Sequence, residues 1–101
     1  MPEINLGRVR GDVVYARLLT LTAAGWSADK KQTVACAGIL ADEGAQRILP
    51  MPTEGSRAAY DTAGVQCVAQ GADKLTFAAS NDVPTADLSV YVSWESVEVL
   101  G

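Results

Sequence analysis

Two cysteines, twelve carboxylates and no histidine make up most of the reactive inventory of this 101-residue chain. Without histidine the usual metal ligand and the usual general base are both missing. Hydrolases built on Ser-His-Asp or Cys-His are therefore excluded within the chain. Acid–base work by carboxylates needs two carboxyls held across a cleft with divergent pKa values. The pairs present are Asp42-Glu43, Asp82 with Asp87, and Glu95 with Glu98, and they fall in turns or near the C-terminus. Solvated acids are the ordinary outcome there. A calcium site at Asp82 and Asp87 is short of oxygen ligands, and no glycine-rich loop has phosphate-binding spacing. Cys36 and Cys67 are too few for a disulfide framework and read as small, reduced, buried hydrophobes; a mutual disulfide needs their strands to be neighbours. No catalytic residue, metal or cofactor is expected.

Two aromatic residues are better placed for binding. Trp26 follows Gly25 at a strand end, where an indole can stack on a sugar, anchor an interface or cap the core. Tyr91 lies out of phase with Leu88, Val90, Val92 and Trp94, so it faces away from the core as an interface candidate. Arg10-Gly11-Asp12 is the integrin-binding tripeptide. Recognition of it needs a protruding, restrained loop, and here it marks the junction of an arm with a domain.

The elements that must position these residues are mostly strands. Residues 1–12 read as an extended docking arm, because Pro2, Gly7 and Gly11 oppose helix and central strand. Ile4, Leu6 and Val9 are too few for a core of their own, so they are expected to bury against another chain, with Arg8 and Arg10 meeting acidic or carbonyl groups there. From Val13 the period is two: Leu19, Leu21 and Ala23 define one strand. Gln32 to Ile39 reads as a second strand with Val34 and Cys36 on one face, and Gly38 marks a bulge or a close backbone approach. Gln46 to Leu49 is extended and stopped by Pro50-Met51-Pro52. A helix follows over Arg57 to Ala63, with Ser56 as N-cap and Gly64 at the C-terminal cap; Ala59, Tyr60 and Ala63 dock it. Val65, Cys67 and Ala69, then Leu75 and Phe77, then Leu88 to Trp94 supply further strands. Val97, Val99 and Leu100 extend the last one beyond a break at Glu95-Ser96. Many short strands with one small helix predict an all-β fold, an antiparallel, jelly-roll-like β-sandwich over residues 13–101.

Composition and charge narrow the partners. Apolar residues make up 49% and charged residues 20%, which argues for a folded domain. Eight basic residues face twelve acidic ones, with no basic cluster to neutralise phosphates, so nucleic acid is not expected. No uncharged run approaches the roughly 20 residues of a membrane helix, so no membrane insertion is expected. The N-terminus has no apolar stretch of signal-peptide type.

Two stretches carry a resemblance. Ile4-Asn5-Leu6-Gly7-Arg8-Val9-Arg10-Gly11-Asp12 resembles the N-terminal peptide of phage and prophage tail-fibre proteins. The body resembles a small domain in structural proteins of phages and prophages of Gram-positive bacteria. That similarity rests on Leu21 to Ser27, Gln32-Thr33-Val34, Gly38, Ala41-Asp42-Glu43, Ala59-Tyr60, Ala63-Gly64-Val65, and Leu75-Thr76-Phe77 followed by Pro84. The arm here runs into the domain without a collagen-like or coiled-coil shaft. The resemblance implies a virion structural part, made in the host bacterial cytoplasm, typically trimeric, and active in assembly and host adhesion. It brings other virion proteins as partners and no catalytic residues. The alternative reading is a carbohydrate-binding module for a cell-surface glycan, acting through Trp26 or Tyr91.

Overall fold

A computed structural model describes residues 14–97, so the arm of residues 1–12 and the terminal Val99 and Leu100 lie outside the described residues. The elements in order are β1 (Val14–Leu21), β2 (Lys31–Ala35), β3 (Gln46–Pro52), α1 (Arg57–Ala63), β4 (Val65–Gly71), β5 (Lys74–Ala79) and β6 (Leu88–Ser96). They form two three-stranded antiparallel sheets, β1-β6-β3 and β2-β5-β4. The all-β sandwich with one short helix is thus the observed fold.

The core lies between the sheets. Leu19 and Leu21 from β1 and Leu88, Val90, Val92 and Trp94 from β6 face Leu75, Phe77 and Ala79 from β5 and Val65 from β4. Tyr60 and Ala63 are buried and Ala59 partly so, which docks α1 as its apolar stripe requires. Gly64 closes the helix at φ +65°, a left-handed cap that glycine adopts without a Cβ penalty. Ser56 precedes the helix but makes no cap with its side chain; its hydroxyl instead accepts from the Ser89 N–H at 2.8 Å.

Several strand boundaries differ from the sequence expectation. Ala23 leaves β1 for a 3₁₀ turn, Ala23–Gly25. β2 ends at Ala35 rather than Ile39, because Asp73 takes over the backbone beyond it. Its carbonyl accepts from Cys36 N–H at 2.9 Å, its carboxylate from Gly38 N–H at 2.9 Å, and its own N–H donates to Ile39 O at 2.8 Å. The close approach at Gly38 is real: φ is +103°, and a Cβ there would stand 2.7 Å from a ring carbon of Trp94. β3 does not stop at Pro50-Met51-Pro52 but runs through it. It is an edge strand, and Thr53 N–H bonds to Ser89 O, so period two turns the nitrogens of Pro50 and Pro52 to the free side. β6 passes through Glu95-Ser96 unbroken, since Arg47 and Gln46 pair with them. In β4 a bulge between Cys67 and Ala69 breaks the alternation, leaving Cys67 half-buried and Ala69 exposed. Val34 is only half-buried, and the buried residue of β2 is Gln32.

That glutamine and a second one tie the loops to the sheets. Gln32 Oε1 accepts from Thr22 N–H at 2.9 Å while its Nε2 donates to Thr22 O at 3.1 Å. Gln46 does the same across a turn, accepting from Leu40 N–H at 2.9 Å and donating to Gly38 O at 2.8 Å. Each buried amide thereby satisfies backbone groups that would otherwise be stranded.

Urea unfolding should show Phe77→Ala costing about 3–5 kcal/mol, the range for emptying a full aromatic site. Gly38→Ala should cost about 1–3 kcal/mol, from the forced backbone conformation alone, and more if Trp94 cannot yield. Gln46→Ala should cost about 1–3 kcal/mol by orphaning Leu40 N–H and Gly38 O.

Candidate interaction surface

The outer faces of the two sheets are unlike. On β2-β5-β4 the outward positions include Lys31, Ala35, Lys74 and a pair of threonines, Thr33 and Thr76, whose hydroxyls hydrogen-bond at 2.8 Å. On β1-β6-β3 the register sets Leu18 opposite Tyr91 and Tyr91 opposite Met51, so three large side chains form one row across the sheet. Leu49 adjoins that row, opposite Ser93, which on its other side faces Ala16. The four large members are more than half exposed: Leu18 57%, Tyr91 53%, Met51 59% and Leu49 60%. One end of the face is closed by the ion pair of Arg47 and Glu95, at 3.0 Å. A contiguous apolar patch with a polar rim is the usual mark of a contact surface.

Tyr91 therefore stands where the alternation puts it, and it is the centre of the row. Trp26 is not beside it. The indole is half-buried, packs against the core, and holds its Nε1 buried without a hydrogen-bond partner among the described residues. The structure does not bring the two aromatic candidates onto one face. Ile4, Leu6, Arg8, Val9 and Arg10 lie outside the described residues. Leu18, Leu49 and Met51 are additional members of the surface. Their signal in the sequence is parity: Leu18 is out of phase with the buried Leu19 and Leu21, and Leu49 and Met51 with the inward Ile48 and Pro50.

A concavity of about 430 Å³ opens between the edges of β3 and β4, over Ile48, Pro50, Val65, Tyr60 and Cys67, with Glu43 at its rim. Burial pushes the Cys67 thiol and the Tyr60 phenol above their ordinary pKa values, as it does for Cys36 in the core. Those shifts favour the protonated forms, the opposite of what a nucleophile or base requires. Asp29 moves the other way, its carboxylate lowered chiefly by the hydroxyl of Ser27, but it stands fully exposed in a turn. Both cysteines are free thiols. Among the described residues no three Cys, Asp or Glu side chains gather as a metal site would need.

No family model, curated protein or solved structure matches this chain.

Thiol labelling of the native protein should modify Cys67 first and Cys36 only as the domain opens. Equal rates at the two positions would contradict the burial difference. A thiol protonated in the fold but ionised when unfolded lowers stability as pH rises past the unfolded pKa. The melting temperature should therefore fall on the alkaline side of the ordinary thiol value of 9.0. Cys36→Ala should flatten that fall while lowering the melt at neutral pH.

Proposed function

We propose that this protein is a structural subunit of a phage virion appendage, a tail fibre, baseplate or capsid-surface part, working in assembly and host adhesion. The observation that carries the reading is the exposed row Leu18, Tyr91, Met51 and Leu49 on one sheet face. Side chains of that kind, left in water, favour association, at about 25 cal/mol for each Å² of apolar surface removed. The resemblance of the arm, Ile4 to Asp12, to tail-fibre N-terminal peptides supports the same reading and favours a homo-oligomer with threefold symmetry. In this scheme the arm joins the subunit to its neighbours and to other virion proteins. Surface left exposed after assembly meets the host envelope. No helix among the described residues is long and apolar enough to cross a membrane.

The exposure of Tyr91 also favours a second reading, a carbohydrate-binding module in which the phenol ring stacks on a sugar. Particles purified from an induced host strain decide between the two. Mass spectrometry and gold-labelled antibody should find the chain at an appendage. Its absence from particles, together with glycan-array binding that Tyr91→Ala abolishes, would replace the first reading with the second.

A further inference from the structure

Among the described residues four strand edges border the two sheets, and they are not equally closed to further pairing. β3 carries Pro50 and Pro52 with their nitrogens outward, β4 carries a bulge, and β2 is only five residues long. Prolines, bulges and shortness are the ordinary devices that block edge-to-edge addition. β1 has none of them over its eight residues, VYARLLTL.

The phase of that edge follows from two bonds. Thr53 N–H donates to Ser89 O and Val97 N–H to Ala45 O, so Ser89, Tyr91, Ser93 and Glu95 turn their backbone groups toward β3. Leu88, Val90, Val92 and Trp94 then serve β1 through Leu21, Leu19, Arg17 and Tyr15. By alternation Val14, Ala16, Leu18 and Thr20 direct their N–H and C=O groups to the free side. The same stretch carries Leu18, the end of the apolar row, so an edge with no partner strand among the described residues adjoins a face that none of them covers.

We infer that this edge accepts residues 4–9 of a second copy as an added strand, with Ile4 and Leu6 covering the row at Leu18 and Tyr91. The inference rests on the reading of the protein as a self-assembling subunit, whichever appendage it builds. The donor has the right reach. Val14 to Thr20 spans about 20 Å at about 3.3 Å per residue, which six or seven extended residues match. Ile4 and Leu6 share one phase of a strand, and Gly7 is tolerated on an outermost one. The arm, residues 1–12, precedes by one residue Val14, the first residue of the edge it would cover, so every copy carries donor and acceptor side by side in its sequence. Such a head-to-tail contact closes into a ring when the rotation permits. Phase excludes pairing within one chain through the tightest turn; a three-residue turn would be in phase, and the double variant below separates that case from exchange. A two-residue turn at Gly11-Asp12 would bond the arm to Val13, Tyr15 and Arg17, and the last two already bond to β6.

Size exclusion with light scattering on the full chain reads the outcome. Wild type should run at a multiple of the chain mass. Leu6→Lys and Leu18→Lys should each run at one chain mass with the circular dichroism and melt retained. A wild type of one chain mass, or unchanged mass in both variants, overturns the inference. In a Cys67→Ser background, oxidising a mixture of Leu6→Cys and Leu18→Cys chains should give a disulfide-linked heterodimer. The double variant closing its disulfide within a single chain would overturn the exchange. A chain monomeric in solution yet present in particles defeats this inference and leaves the appendage reading standing. Assembly without particle association does the reverse.

Discussion

Everything in this sandwich is hung on β6. It is the middle strand of its sheet, and one of its faces buries Leu88, Val90, Val92 and Trp94, none more than 4% exposed. Burial of each such side chain is worth about 1.5–3 kcal/mol, so a single strand supplies a large share of what a small domain can gather. Both neighbours must take their register from it, because a slip by one residue would turn its apolar set into water. The consequence reaches the opposite face. Once Tyr91 is fixed outward, whatever stands opposite it on β1 and β3 becomes surface as well, and those residues are Leu18 and Met51.

A second demand comes from the connections. Four of the five links between successive strands cross from one sheet to the other, and each crossing exposes backbone groups that no ladder can satisfy. The chain answers with side chains rather than with more secondary structure. Gln32 clasps Thr22, Gln46 clasps Gly38 and Leu40, and Gln70 Nε2 donates to Leu40 O at 2.8 Å. Asp73, itself at φ +59°, ties the turn after β2 to the β4–β5 hairpin. These bonds pin Gly38 against Trp94. The end of the sandwich is therefore stitched, and the parts left unstitched are strand edges and the apolar outer face.

That division bears on function. Thiols and phenol sit where desolvation keeps them protonated, whereas the exposed apolar row sits on a flat, hydrogen-bonded sheet. A rigid face suits recognition by contact, since little side-chain or backbone freedom is lost when a partner covers it. The proposed role in assembly draws on this property of the face.

The sequence by itself determined the elements whose signal is local. Alternation placed Leu21, Phe77, Val90 and Val92 in the core and Tyr91 outside it, although it put the half-buried Val34 there as well; Gly64 ended the helix; Gly38 announced a bulge or a close approach. These follow from the period of a strand or the conformational range of one residue. What the tertiary structure alone decided is everything that depends on a partner strand. Pro50 and Pro52 end a central strand but sit comfortably on an edge, and only the sheet order says which applies. Gln32 and Gln46 are buried for a reason no local pattern states, the loop backbone groups that their amides satisfy, and Ser56 reads as a helix cap until Ser89 claims its hydroxyl. Trp26 could face water or core until the loop that carries it is placed. The row of Leu18, Tyr91 and Met51 joins residues more than thirty positions apart, and register between distant strands is set by the whole core, not by any one of them.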